Sequence, residues 1–155
     1  MSAEAPDFNQ LVGPFLQRVP EASRPTLLAS LERVAAGRYR AWAEQVPARA
    51  AGLRRCAERE EQVAAIAERL FPSDAEGRER IARLVPEARS AYEAVFAELP
   101  LREQWRIQAI AERTGAAAWR ALAAGRPDAT RDALLRCAAL EEESALHLDT
   151  LVASD

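Results

Sequence analysis

The sequence predicts an all-α protein: four long helices in two short-looped pairs, with one long helical connection between the pairs, as in four-helix bundles of the one-crossover kind. Three observations predict it. No segment of the 155 residues sustains the period-two alternation of a half-buried strand. Breaks at Val46-Pro47 and Gly125-Arg126-Pro127-Asp128 are short, whereas about 28 residues separate the second long helix from the third. A short stretch also occurs twice, as Arg-Arg-Cys-Ala-Glu-Arg-Glu-Glu at 54–61 and Arg-Cys-Ala-Ala-Leu-Glu-Glu-Glu at 136–143.

Each element has a local cause. In residues 7–19, Phe8, Leu11, Val12, Phe15 and Leu16 recur at helical spacing, giving a short amphipathic helix interrupted near Gly13-Pro14 and closed by Pro20. Ser23 is the expected N-cap of the first long helix, about 23–46, with Pro25 in its first turn. The second, about 48–71, ends at Phe71-Pro72. Within the crossover, 72–99, Ser73-Asp74-Ala75-Glu76 reads as a capping box, and Pro86 is expected to split the segment into helices 75–85 and 87–98. Pro100 opens the third long helix, about 100–124, and the fourth runs about 128–153.

Composition narrows the function. The length suits one domain with a sizeable core. A net charge of -3 gives no basic footprint, so nucleic acid is not an expected partner. All 21 cationic side chains are arginine, which excludes lysine Schiff-base chemistry. The first residues lack a signal-peptide pattern and no apolar run approaches membrane-helix length, so no membrane association and a cytoplasmic location are expected. Cys56 and Cys137, without CxxC spacing, read first as small core residues.

The repeat extends beyond its cysteines. Glu60 and Glu141 each lie four residues after a cysteine, on the same helix face. Glu32 precedes Tyr39 by seven residues, as Glu112 precedes Trp119. Glu32 and Cys56 are 24 residues apart, Glu112 and Cys137 25 apart, so the helix pairs read as a duplication. Leu53, Cys56, Ala57, Val63, Ala64, Ala67 and Leu70 form an apolar stripe whose one gap is Glu60; Glu141 fills the matching gap among Leu134, Cys137, Ala138, Ser144, Ala145 and Leu148. Glu32 shares a face with Leu28, Ala35, Tyr39 and Val46, and Glu112 with Trp105, Ala109, Ala116 and Trp119. Four carboxylates are thus expected to face inward, where they need pairing, protonation or a metal.

This pattern resembles the ferritin-like superfamily, and within it the rubrerythrin-like proteins. Glu32-Arg-Val-Ala-Ala-Gly-Arg-Tyr39 is similar to the family's first-helix signature, and the segments around Glu60 and Glu141 to its second- and fourth-helix motifs. The resemblance implies a di-iron or di-manganese site of four glutamates and two histidines, and a homodimer. The metal candidates are then Glu32, Glu60, Glu112 and Glu141. The histidine positions hold Val63 and Ser144, and the single histidine, His147, lies roughly 120° off the Glu141 face.

Three readings stay open. A degenerate, metal-free bundle would serve as a binding or assembly module for a protein partner the sequence does not identify. A carboxylate-only site would hold iron or manganese and support redox, oxidase or metal-handling activity. In the third, the register is shifted and Glu58, Glu61 or Glu142 simply solvate the helix exterior. Tyr39, Trp42, Trp105, Trp119 and Tyr92 read as core, with a radical-relay role for Tyr39 or Trp119 as the alternative beside a metal. Cys56 and Cys137 have a redox pair or soft ligands as their alternative roles. The apolar face of residues 7–19 is the expected cover of the bundle and the first choice for a partner contact.

Overall fold

The computed structural model describes residues 4–154. Among them it is all-helical: α1 (Phe8–Leu16), α2 (Arg24–Gln45), α3 (Ala50–Leu70), α4 (Ala75–Phe96), α5 (Leu101–Ala123) and α6 (Asp128–Ala153), with 3-10 turns at Glu21–Ser23 and Pro47–Arg49. None of these helices is long and apolar enough to cross a membrane. The described chain divides into two compact units, one of residues 12–90 and one of residues 91–154 with residues 4–11.

In the unit of residues 12–90, α2 and α3 form an antiparallel hairpin. Its open end is tied by Thr26 Oγ1, which donates to the Phe71 carbonyl at 2.8 Å. Arg33 bridges Glu61 and Glu68 across the hairpin, and Arg40 reaches Glu61 at 3.0 Å. The hydrogen bond to Glu68, helped by the charges of Glu68 and Glu61, holds the Arg33 guanidinium above its ordinary range. Such half-exposed pairs fix register more than they add stability, at about 0.2–1 kcal/mol each.

The expected N-cap and capping box are both replaced. The Ser23 hydroxyl makes no cap bond; it pairs with Ser73 Oγ at 3.0 Å. With Ser73 so engaged, Asp74 caps α4, its Oδ1 accepting from Gly77 N–H at 2.7 Å. Gly77 permits this approach, since a Cβ there would lie 2.5 Å from Ser73 Oγ and 2.6 Å from Ser23 Oγ. α2 and α4 therefore start at the same end of the unit and run side by side. Val19, Leu27, Ile81 and Leu84 form the core between them, with Phe15, Leu16 and Val85 packed at its edge.

Two proline breaks expected from the sequence are absent. α1 continues through Pro14, and α4 through Pro86 as one helix. A proline removes one backbone hydrogen bond, but burial of Ile81, Leu84 and Ala88 on one face holds both sides of Pro86 in line. The segment stops at Phe96, and Glu98, at φ 64°, takes the left-handed conformation usually left to glycine or asparagine.

In the second unit, α5 and α6 form the other antiparallel hairpin. Gly125, at φ 73°, ends the α5 segment. Arg120 pairs with Glu142, and Arg113 with Asp149, across it. Phe8 of α1 stacks on Tyr92 with ring centroids 6.0 Å apart.

Candidate functional site

The α2–α3 hairpin places Glu60 where the stripe predicts. Leu53, Cys56, Ala57, Glu60, Val63, Ala64 and Ala67 are all buried, and Glu60 is 0% exposed. The register is not shifted, because Glu60 itself is buried; Glu58 does lie on the exterior, and Glu61 pairs with Arg33 and Arg40. Glu142 is likewise exposed and paired with Arg120.

Glu32 sits differently from expectation. It is only half-buried, as are Leu28 and Val46 of its expected stripe, while Leu27, Leu31, Ala35, Tyr39 and Trp42 are buried. The reason is that α2 has two neighbours in its unit, α3 and α4, so its apolar residues occupy two faces. A Glu32 carboxylate oxygen still lies within 4.8 Å of one from Glu60. Were both ionised at that separation, they would repel by about 3.5 kcal/mol at an effective dielectric of 20. A proton or a cation between them removes that cost.

The α5–α6 hairpin buries Glu112 and Glu141, at 2% and 1% exposure. Each receives a neutral donor. Trp119 Nε1 donates to Glu141 Oε1 at 2.9 Å, and Gln108 Nε2 donates to Glu112 Oε1 at 2.7 Å. Gly115, one turn before Trp119, opens the space that the Glu141 carboxylate fills: a Cβ there would stand 3.1–3.3 Å from its three atoms. Trp119 thus reaches across to the repeat glutamate of α6, whereas the sequence placed it on the face of Glu112. Gln108 and Gly115 were not anticipated. Their signals were a Gln–Glu pair at i,i+4 and a glycine inside a helix of strong helix formers.

Gly115 gives a clean comparison with Gly37, whose absent Cβ would meet nothing within 4 Å. Gly37→Ala should raise stability by about 0.5–1 kcal/mol through helix propensity. Gly115→Ala should give none of that gain, because its methyl presses on the buried carboxylate. Paired thermal melts of the two variants check this.

The positions where the resemblance calls for histidine are Val63 and Ser144, both 0% exposed. Neither offers a nitrogen donor, and the buried Ser144 Oγ has no hydrogen-bond partner among the described residues. His147 is half-buried, six residues beyond Glu141. Cys56 and Cys137 are buried free thiols; Cys56 Sγ lies 3.5 Å from Arg59 Nη1. Tyr39 and Trp119 are both fully buried, and Tyr39 meets Trp42 edge to face at 5.4 Å. The carboxylates therefore offer hard oxygen donors, a set that suits magnesium, calcium, manganese or ferrous ions and departs from the mixed nitrogen–oxygen set of a histidine-containing di-iron site. Compared with family models, curated proteins and solved structures, the chain matches none.

Proposed function

We propose that the chain is a duplicated, ferritin-like four-helix protein whose di-metal site is degenerate, and that it works without metal as a binding or assembly module. The observation carrying this reading is the burial of Val63 and Ser144 where the resemblance requires imidazoles. The neutral donors on Glu112 and Glu141 support it, because each carboxylate already has a protein partner. A bundle that keeps the scaffold and loses its nitrogen ligands retains helix surfaces for recognition, since a fold does not dictate a reaction.

A second reading has its own observation. The closeness of Glu32 and Glu60 favours a hard divalent cation held by carboxylates alone. Manganese titration separates the two. A cation at a hundred times its Kd would add about 2.7 kcal/mol to stability. The metal-free reading expects an unchanged melting temperature with either manganese or chelator. A manganese-dependent rise that disappears in Glu60→Ala would establish the second reading instead.

A further inference from the structure

Among the described residues, two large hydrophobic side chains stand exposed, Leu135 at 42% and Leu146 at 61%, and both belong to α6. We propose that they form the contact between two copies of this chain, whose α6 helices pair antiparallel about a two-fold axis. The contact does not depend on metal content, so its failure and that of the metal-free reading are separate results.

The helix sets the geometry. Eleven residues are about three turns, so the two leucines lie within about 20° of each other and about 16 Å apart along α6. Between them on this face are Ala139, half-buried, and Glu142, whose carboxylate is drawn aside by Arg120 of α5. The opposite face of α6 is spent on the core through Leu134, Cys137, Ala138, Glu141 and Leu148. The apolar face of α1, the partner contact expected from the sequence, is not free in the same way: Phe8 and Val12 are both buried.

The sequence of the exposed face selects the occupant. A two-fold axis between Leu140 and Glu141 puts Leu135 of each copy level with the partner's Leu146. Arg136 and Glu143 share one flank of this stripe, and Arg131 and Asp149 the other. Antiparallel pairing therefore sets Arg136 beside the partner's Glu143, and Arg131 beside the partner's Asp149, within about two residues of rise. A parallel pairing would set each of these charges against its own copy. All four already sit in surface ion pairs of their own chain, so the dimer draws on no spare cation. What the arrangement supplies is an apolar partner for each leucine with no like charge beside it on either flank. Two leucines per copy fall well short of the roughly 1,200–2,000 Å² of standard interfaces, so the dimer is a weak one.

The test is sedimentation equilibrium of the full chain, loaded from about 10 µM to about 1 mM to bracket the Kd expected of so small a contact. A reversible monomer–dimer equilibrium is expected. Leu146→Arg, with its fold verified by circular dichroism, should weaken it at least about tenfold by placing a charge in the apolar contact. Register is read by disulfide trapping. Chains carrying Leu135→Cys and Leu146→Cys should cross-link when mixed and give little cross-linked product alone, with the wild-type chain, whose Cys56 and Cys137 are buried, as the blank. A wild-type chain that stays monomeric throughout overturns the proposal. So does a dimer that a folded Leu146→Arg chain forms equally well, or cross-linking as efficient in either single variant as in the mixture.

Discussion

Glu60→Leu should stabilise the protein by about 2 kcal/mol, raising the melting temperature by roughly 4–8 °C. The side chain it replaces is wholly buried in the α3 stripe and lies within 4.8 Å of the Glu32 carboxylate. Leucine fills a similar volume, continues the stripe from Cys56 to Val63, and removes both the desolvation of a carboxylate and its repulsion with Glu32. Glu60→Gln separates the two contributions, since it removes charge and keeps a polar head. It should recover part of the gain. If Glu60 holds a cation, both substitutions destabilise the metal-loaded protein, so the sign of the change in a urea or thermal melt is decisive.

Trp119→Phe should have the opposite sign and a similar size. It deletes the indole N–H that donates to Glu141 Oε1 while leaving that carboxylate buried. Losing a hydrogen bond to a buried charged acceptor costs about 1.5–3 kcal/mol, and the smaller ring adds a cavity contribution. In a Glu141→Leu background the hydrogen-bond part has nothing to act on. The cost of Trp119→Phe should then fall to the packing contribution alone. A double-mutant cycle by equilibrium unfolding measures the difference as a coupling energy of about 1–2 kcal/mol. A coupling near zero would mean that the indole N–H does not stabilise Glu141.

The comparison of these residues shows which parts of the fold are written locally. The inward direction of Glu60 and Glu141 was legible because each occupies the one gap in a long apolar stripe, and a helix fixes which positions share a face. The helix ends near Val46-Pro47, Phe71-Pro72 and Gly125 were legible for equally local reasons. The depth of Glu32 was not. It depends on α2 having a second neighbour, α4, whose packing on Leu27 rotates the effective core away from Leu28 and Val46. The continuity of α4 through Pro86 was hidden for the same kind of reason, since burial of Ile81, Leu84 and Ala88 outweighs one missing hydrogen bond. Ser23 and Ser73 each carried a capping signal, and the contact between them diverted both hydroxyls.

The site divides in a similar way. That carboxylates are buried was readable from periodicity. That Trp119 serves Glu141, Gln108 serves Glu112, and Gly115 clears room for a carboxylate depended on rotamers and on the distance between α5 and α6. That Val63 and Ser144 offer no imidazole was visible from the first, and the structure adds that both positions are sealed from solvent.

The most direct test of a degenerate site is elemental analysis of the full chain after expression in medium supplemented with iron and manganese. A metal-free bundle should carry well below one equivalent of either metal per chain and keep its melting temperature on chelation. About two equivalents, lost in Glu60→Ala or Glu141→Ala with the fold intact, would contradict it.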